Sequence, residues 1–267
     1  MKSRYLTERL PFLLPLRLRQ RKMWYYAKMR FDGNRYAANR RPLFAHTLCE
    51  QRSLLINEHT GADIAYQYNK AHNLRLAAQA ISGVVVMPGE TFSLWRLARH
   101  ADRRERYRDG LCVHNGRLVA VYGGGLCQLS NLLFLLFLAT PLTIVERHTH
   151  KVKEFPNPSP DDLCGVDATI LEGWLDLRAR NDTDTPLQIS LSVDEKYLSG
   201  KILTPRQLSE RYGVINQDLR YFEKDGQMYE SVKVIRQTLD ARTGALLGQT
   251  PLYTNVCKLG YDPAGVK

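Results

Sequence analysis

Tyr122-Gly123-Gly124-Gly125-Leu126-Cys127-Gln128-Leu129-Ser130-Asn131 decides the reading of this chain, together with the apolar run at 132–139 and Thr143-Ile144-Val145-Glu146-Arg147-His148-Thr149-His150 beyond it. Three successive glycines let the backbone take positive φ and let another group approach closely. Leu129, Leu132, Leu133, Phe134, Leu135, Leu136, Phe137 and Leu138 predict a helix that is apolar on every side and therefore buried. Pro141 ends it. Cys127 then sits in the first turn of a buried helix, before unpaired N–H groups and the positive end of the dipole, a placement that favours thiolate.

Residues 142–150 are short and β-branched, which predicts a strand with Glu146, His148 and His150 on one face. An adjacent helix and strand can bring an imidazole to a thiol. That is the logic of a cysteine nucleophile: Cys127 attacks, a histidine handles the proton, and a carboxylate orients the histidine. His150 is the preferred base because the chain leaves the sheet there, with His148 as its substitute. Asp167 and Asp176 are the carboxylates in reach by sequence. Backbone N–H groups of Cys127 and Gln128 would form an oxyanion hole. Gly123, Gly124 and Gly125 would admit substrate, and Gln128 would form a polar wall. Glu90, in the Pro88-Gly89-Glu90 turn, would line the cleft. Two other readings stand beside this one. Cys127 is a structural core cysteine, or Cys127, His148 and His150 hold zinc. No second cysteine or CxxC pair joins them, so no metal ligand and no cofactor is assigned.

Gly-Gly-Gly-Leu-Cys-Gln-Leu-Ser-Asn-Leu-Leu at 123–133 and Ile-Val-Glu-Arg-His-Thr-His at 144–150 resemble the signature of the VanW family. The resemblance extends to Pro88-Gly89-Glu90-Thr91-Phe92-Ser93, to Gly165-Val166-Asp167-Ala168-Thr169 and to Arg180-Asn181-Asp182-Thr183-Asp184. Segments near both ends, MRFDG, NEHTG and LYTNVCK, carry it over nearly the whole chain. The resemblance implies an association with glycopeptide resistance and cell-wall metabolism. It also implies cysteine-dependent L,D-transpeptidation of peptidoglycan stems, which is associated with some exported members. Asp167, inside the G-x-DAT motif, becomes the preferred orienting carboxylate.

Working outward, Val84-Val85-Val86 predicts a buried strand. Residues 74–81 show helical spacing, and 111–114 with 118–121 predict a hairpin through Asn115-Gly116. The 43–69 stretch is irregular, and His59 falls in a turn there. Residues 155–160 predict a stiff proline loop, residues 165–181 a long strand, and 187–193 a half-buried one. From 201 onward, turns at Lys224-Asp225-Gly226 and Thr243-Gly244 predict a small β appendage. The expected fold is α+β. An antiparallel or mixed sheet packs on the buried Cys127 helix, in a core of 43–200, with a basic helical arm at 1–42 and a β extension at 201–267.

The 267 residues carry a net charge of +11. The arm holds twelve Lys and Arg against Glu8 and Asp32, so nearly all of the excess sits there. Its helix from Pro15 to about Phe31 could lie on an anionic membrane surface. Nothing matches a nucleic-acid-binding motif. Five scattered cysteines are not a disulfide framework. The expected location is cytoplasmic, peripheral on the inner membrane face. The leading function is acyl transfer on a peptidoglycan stem peptide or cell-wall precursor. Its rivals are a non-catalytic precursor-binding protein and a metal-dependent hydrolase. The sequence does not fix an oligomeric state.

Overall fold

The computed structural model of the chain describes residues 10–58, 61–114, 117–154, 156–157 and 162–263. In chain order these form helix α1 (Leu14–Lys28), strands β1 (Arg35–Tyr36) and β2 (His46–Leu54), helix α2 (Ala65–Ile81), strands β3 (Val85–Val86) and β4 (Glu90–Ser93), and a short helix α3 (Leu94–Ala98). Next come strands β5 (Asp109–His114) and β6 (Arg117–Tyr122), helix α4 (Cys127–Leu138), and strands β7 (Thr143–Glu146), β8 (Val152–Lys153), β9 (Arg178–Arg180), β10 (Leu187–Val193) and β11 (Tyr197–Thr204). Three long strands end the chain: β12 (Glu210–Lys224), β13 (Gln227–Asp240) and β14 (Leu246–Leu259). The protein is mixed α+β.

The strands build three four-stranded sheets, ordered β2-β11-β10-β3, β1-β4-β9-β7 and β12-β13-β14-β8, plus the β5-β6 hairpin. Helix α4 is the centre of the core. Leu129, Leu133, Phe134, Leu136 and Phe137 are fully buried on its different faces, because no face of this helix is polar enough to prefer water. It lies so close to β11 that a Cβ on Gly200 would stand 2.7 Å from Leu136 Cδ1. Phe137 meets Phe92 of β4 edge-on, ring centroids 5.0 Å apart. Each such buried side chain contributes roughly 1.5–3 kcal/mol.

Helix α1 docks through Tyr25 onto a buried carboxylate. Asp176 accepts from Tyr25 Oη at 2.7 Å, Ser93 Oγ at 2.6 Å and the Trp95 N–H at 3.1 Å, and pairs with Arg178 at 2.9 Å. Those partners explain how a carboxylate persists with no exposure. Among the described residues no helix is long and apolar enough to cross a membrane.

Several expectations need correction. The strand expected over 142–150 ends at Glu146, and residues 147–150 are irregular. The long strand expected over 165–181 is only Arg178–Arg180, because the chain folds back where Leu171 bridges Leu175. The irregular 43–69 stretch contains β2 and the start of α2. The C-terminal sheet is larger than an appendage, with strands of 15, 14 and 14 residues. The Asp225-Gly226 turn is as expected, both residues at positive φ. His59, the Asn115-Gly116 turn, and residues 155 and 158–160 of the proline loop lie outside the described residues.

Candidate functional site

The glycine triplet delivers the chain from β6 into α4 under tight control. Gly124 backs onto Gly110 of β5 so closely that a Cβ on either would enter the other's backbone. Asn73 of α2, fully buried, donates to Gly124 O at 3.0 Å and Arg108 O at 2.9 Å and accepts the Arg108 N–H at 2.8 Å. Gly125 takes φ +91° with the Lys70 stem against it. Burial pulls the Lys70 ammonium down to about 8. Cys127 follows as the first residue of α4 and is partly exposed.

Cys127 lies close enough to the His150 ring to raise its pKa. On its other side, ring Nδ1 lies 3.0 Å from both carboxylate oxygens of Asp167, so Nε2 is the nitrogen left for the sulfur. The His150 backbone N–H also donates to Asp167 Oδ2, at 2.6 Å. The Asp167 hydrogen bond, then the Cys127 side chain, raise the imidazole from 6.5 to about 10, against the opposing effect of burial. Burial works to raise the Asp167 carboxyl, but its bonds from His150 hold it below the usual carboxylate range. His150 is thus held toward its protonated form, with the Asp167 carboxylate on its Nδ1 side. Thr169 Oγ1 lies 3.9 Å from Cys127 Sγ.

Asp167 sits on irregular chain, and side chains from several elements fix it. Asn131 of α4 accepts the Ala168 N–H at 2.7 Å, and Ser130 donates to Ala168 O. The Thr169 N–H donates to His148 O at 2.8 Å. Arg147 donates to Asp167 O at 2.8 Å, Gly165 O at 3.1 Å and Asn255 Oδ1 at 3.1 Å. Its guanidinium lies over the Phe134 and Tyr253 rings at 4.9 and 4.3 Å.

The cluster stands where two grooves approach each other. One, of about 400 Å³, is lined by the three glycines, Cys127, Tyr107 and Tyr122, with Leu18, Arg21 and Lys22 of α1. The other, of about 320 Å³, is lined by His150, Asp167, Asn131, Lys153, Glu230 and Asn255. The C-terminal sheet reaches this second groove because β14 pairs in parallel with β8, just after His150.

Cys127, His150, Asp167 and the glycines therefore come together, and the other expected site residues do not join them. His148 turns to Glu146, 3.1 Å away, because the chain is no longer a strand and the two histidines point to different partners. Gln128 donates to Ser53 Oγ and Leu54 O of β2, both at 2.6 Å. Its backbone N–H donates to Gly125 O at 3.2 Å rather than into the groove, so the expected oxyanion pair is incomplete. Glu90 is buried and accepts the Met87 N–H at 3.1 Å, closing its own turn. Among the described residues no three His, Cys, Asp or Glu side chains converge as metal ligands.

Sequence reasoning missed Ser130, Asn131, Asn73 and Arg147. The first two had a signal: polar residues in an otherwise apolar buried helix need partners. Arg147 had none, since Tyr253 and Asn255 are over a hundred residues away.

Fold and cluster together define a mixed α+β protein with a cysteine–histidine–aspartate constellation at the start of a buried helix. Residues 69–203 match the family described as VanW like protein. The chain is 48% identical over 262 residues to the vancomycin B-type resistance protein VanW of Enterococcus faecalis (strain ATCC 700802 / V583), covering 98% of this chain and 95% of that one. It is 33% identical over 156 residues to the uncharacterized protein YoaR of Bacillus subtilis (strain 168), covering 58% of this chain and 48% of that one. The chain belongs to the VanW family. No solved structure matches it.

Proposed function

We propose that this protein is a cysteine acyltransferase of the L,D-transpeptidase type, acting on peptidoglycan stem peptides or their precursors in the setting of vancomycin resistance. One observation carries the reading: His150, with Nδ1 3.0 Å from the Asp167 carboxylate, lies beside Cys127, and both neighbours raise its pKa. Its position between two grooves suits a transfer reaction, which needs room for an acyl donor and an acceptor. Cys127 enters as the thiolate, its proton already held by His150, and sulfur bonds to the donor's carbonyl carbon. The C–N bond to the leaving amine breaks as His150 returns the proton to that nitrogen, leaving a thioester on Cys127. An acceptor amine gives its proton to His150 as its nitrogen displaces sulfur, and the enzyme is restored. Asp167 holds the imidazole in orientation and balances its charge throughout.

The test is mass spectrometry of peptidoglycan fragments and soluble stem-peptide precursors incubated with wild type or Cys127→Ser. An acyl adduct on Cys127 and new cross-linked or trimmed stems, both absent with the variant, are expected. Identical products from the two proteins would overturn the enzyme reading. A second reading, a precursor-binding protein without turnover, draws on the Gln128 N–H being committed to Gly125 O. It requires retained binding in Cys127→Ser and no adduct on wild type.

A further inference from the structure

Helix α1 has two unlike sides. Tyr26 donates to Glu172 at 2.9 Å and to Trp95 O at 3.2 Å. Tyr25 reaches Asp176, Lys22 pairs with Glu172, and Arg21 donates to Gly173 O at 3.2 Å. That side is fastened to the protein. The helical repeat places Leu16, Gln20, Met23 and Ala27 in one row on the opposite side, with Trp24 beside them. Leu16, Met23 and Trp24 face water at 65%, 62% and 69% exposure, and the flanking Phe12 and Phe31 at 73% and 86%. Arg17 and Lys28 border this row on one edge and Arg19 on the other. Between residues 10 and 31 there are six Lys and Arg and no Asp or Glu.

An exposed apolar row is uncommon on a soluble surface and marks an interaction site. The charge around it selects the partner. A second copy of this face would set Arg17, Arg19 and Lys28 against the same three cations, which disfavours self-association. Aliphatic and aromatic side chains edged by cations on a surface helix suit a negatively charged lipid interface, where the apolar row enters the acyl boundary and the cations meet headgroups. Beside the row, an apolar notch of about 590 Å³ is lined by Trp24, Tyr25, Ala27 and Phe31, with Arg21 and Lys28 among its walls. That combination suits an acyl chain below an anionic headgroup.

We infer that the outer face of α1 docks this protein on an anionic bilayer surface. The inner face of the same helix supplies Leu18, Arg21 and Lys22 to the Cys127 groove. Docking therefore brings that groove to the lipid interface, within reach of a lipid-linked peptide. This second step rests on the proposed acyltransferase function, whereas the docking itself does not.

The experiment is cosedimentation of the full chain with vesicles of phosphatidylcholine alone or with about one-third phosphatidylglycerol, at low salt. Wild type should pellet with the anionic vesicles and stay in solution with the neutral ones. Leu16→Glu/Met23→Glu/Trp24→Glu should lower vesicle partitioning at least about tenfold. Arg19→Gln/Lys28→Gln should lower it several-fold, as should raised salt. All three apolar positions are exposed, so the triple variant should keep the wild-type melting temperature. An independent reading uses lipids brominated along the acyl chain, which should quench Trp24 fluorescence in a Trp95→Phe/Trp174→Phe background. Wild type left in the supernatant with anionic vesicles would overturn the inference. So would a triple variant that pellets undiminished, or a dimer in sedimentation velocity that the triple variant abolishes. Iodoacetamide reaction at Cys127 without vesicles tests the thiol site separately, so failure of docking and failure of the chemistry are told apart.

Discussion

Asp167→Asn removes one charge and little else. Asparagine Oδ1 can still accept from the His150 N–H and from ring Nδ1, which now reach the carboxylate at 2.6 and 3.0 Å. At 3.0 Å, Coulomb's law with an effective dielectric of about 20 gives roughly 5 kcal/mol for the ion pair. The imidazole side chain is 37% exposed and the carboxylate 28%, so solvent screens a large part of it. We take about 2 kcal/mol, in line with a hydrogen bond to a charged group. At 1.36 kcal/mol per pH unit, the His150 midpoint should fall by about 1.5 from its value of about 10. The assay is a 1H–13C titration of the histidine Cε1 signals, with His150 assigned through His150→Gln. Iodoacetamide alkylation of Cys127 against pH reads the other end of the same chain. Its rate near neutrality should change little in Asp167→Asn, because a midpoint lowered by about 1.5 from about 10 still leaves the imidazole protonated there. A wild-type midpoint near 6.5, or one that Asp167→Asn leaves in place, would refute this account of the charge network.

The same contacts set three further outcomes. Arg147→Lys keeps the charge but cannot reproduce the three hydrogen bonds to Asp167 O, Gly165 O and Asn255. It should cost about 2–3 kcal/mol in urea unfolding and slow Cys127 alkylation. Asp176→Asn leaves Arg178 and Tyr25 without their buried anion and should destabilise by about 2–4 kcal/mol, with faster proteolysis in α1 but an unchanged His150 titration. The pH dependence of stability has a definite sign. Because folding raises His150 from 6.5 to about 10, its contribution is complete below pH 6.5, shrinks above it, and is gone beyond about 10. Asp167, held low, contributes fully above 3.8 and loses its share as pH falls further. The gap in unfolding free energy from urea titration between wild type and His150→Gln should therefore be widest near pH 4–6.5. It should narrow by about 1–2 kcal/mol by pH 10, after discounting for the exposed ring.

Helix α4 was legible because eight apolar residues in ten leave a helix no solvent face. The place of Cys127 at the start of this helix was legible from the same run, since the glycine triplet and the apolar stretch mark where the helix begins. What the linear pattern concealed is where the strand stops. Nothing in the run from Ile144 to His150 marks a break, yet pairing with β9 ends at Glu146. Residues beyond it are then free to send His148 and His150 to different carboxylates. The 165–177 stretch misled for a different reason. Ile170, Trp174, Leu175 and Leu177 have strand character, but Gly165 and Gly173 take φ of +71° and +83° and turn the chain. A Cβ on Gly165 would stand 2.6 Å from Val232 Cγ1, a contact with a strand sixty-seven residues later that no local pattern encodes. β2 was missed because it is half-covered, with HTLCEQRSL alternating weakly and β11 as its partner. Glu90 and Gln128 fit a cleft by residue type, but each has a nearer backbone partner.

The two aspartates that sequence could not separate by chemistry are separated by depth. Asp176 is sealed and takes Tyr25, Ser93, Trp95 and Arg178, so its charge is fully used in fastening α1 to the body. Asp167 keeps an opening and takes one ring, so its charge can follow a proton. A polar path nonetheless joins them. The Asp176 N–H donates to Glu146 at 3.1 Å, Glu146 holds the His148 ring, and His148 O accepts the Thr169 N–H next to Cys127. His148 thus serves the site through its carbonyl rather than its imidazole. This explains why a His-x-His pair can offer only one base: the other ring is committed to the carboxylate that steadies the loop beneath the first.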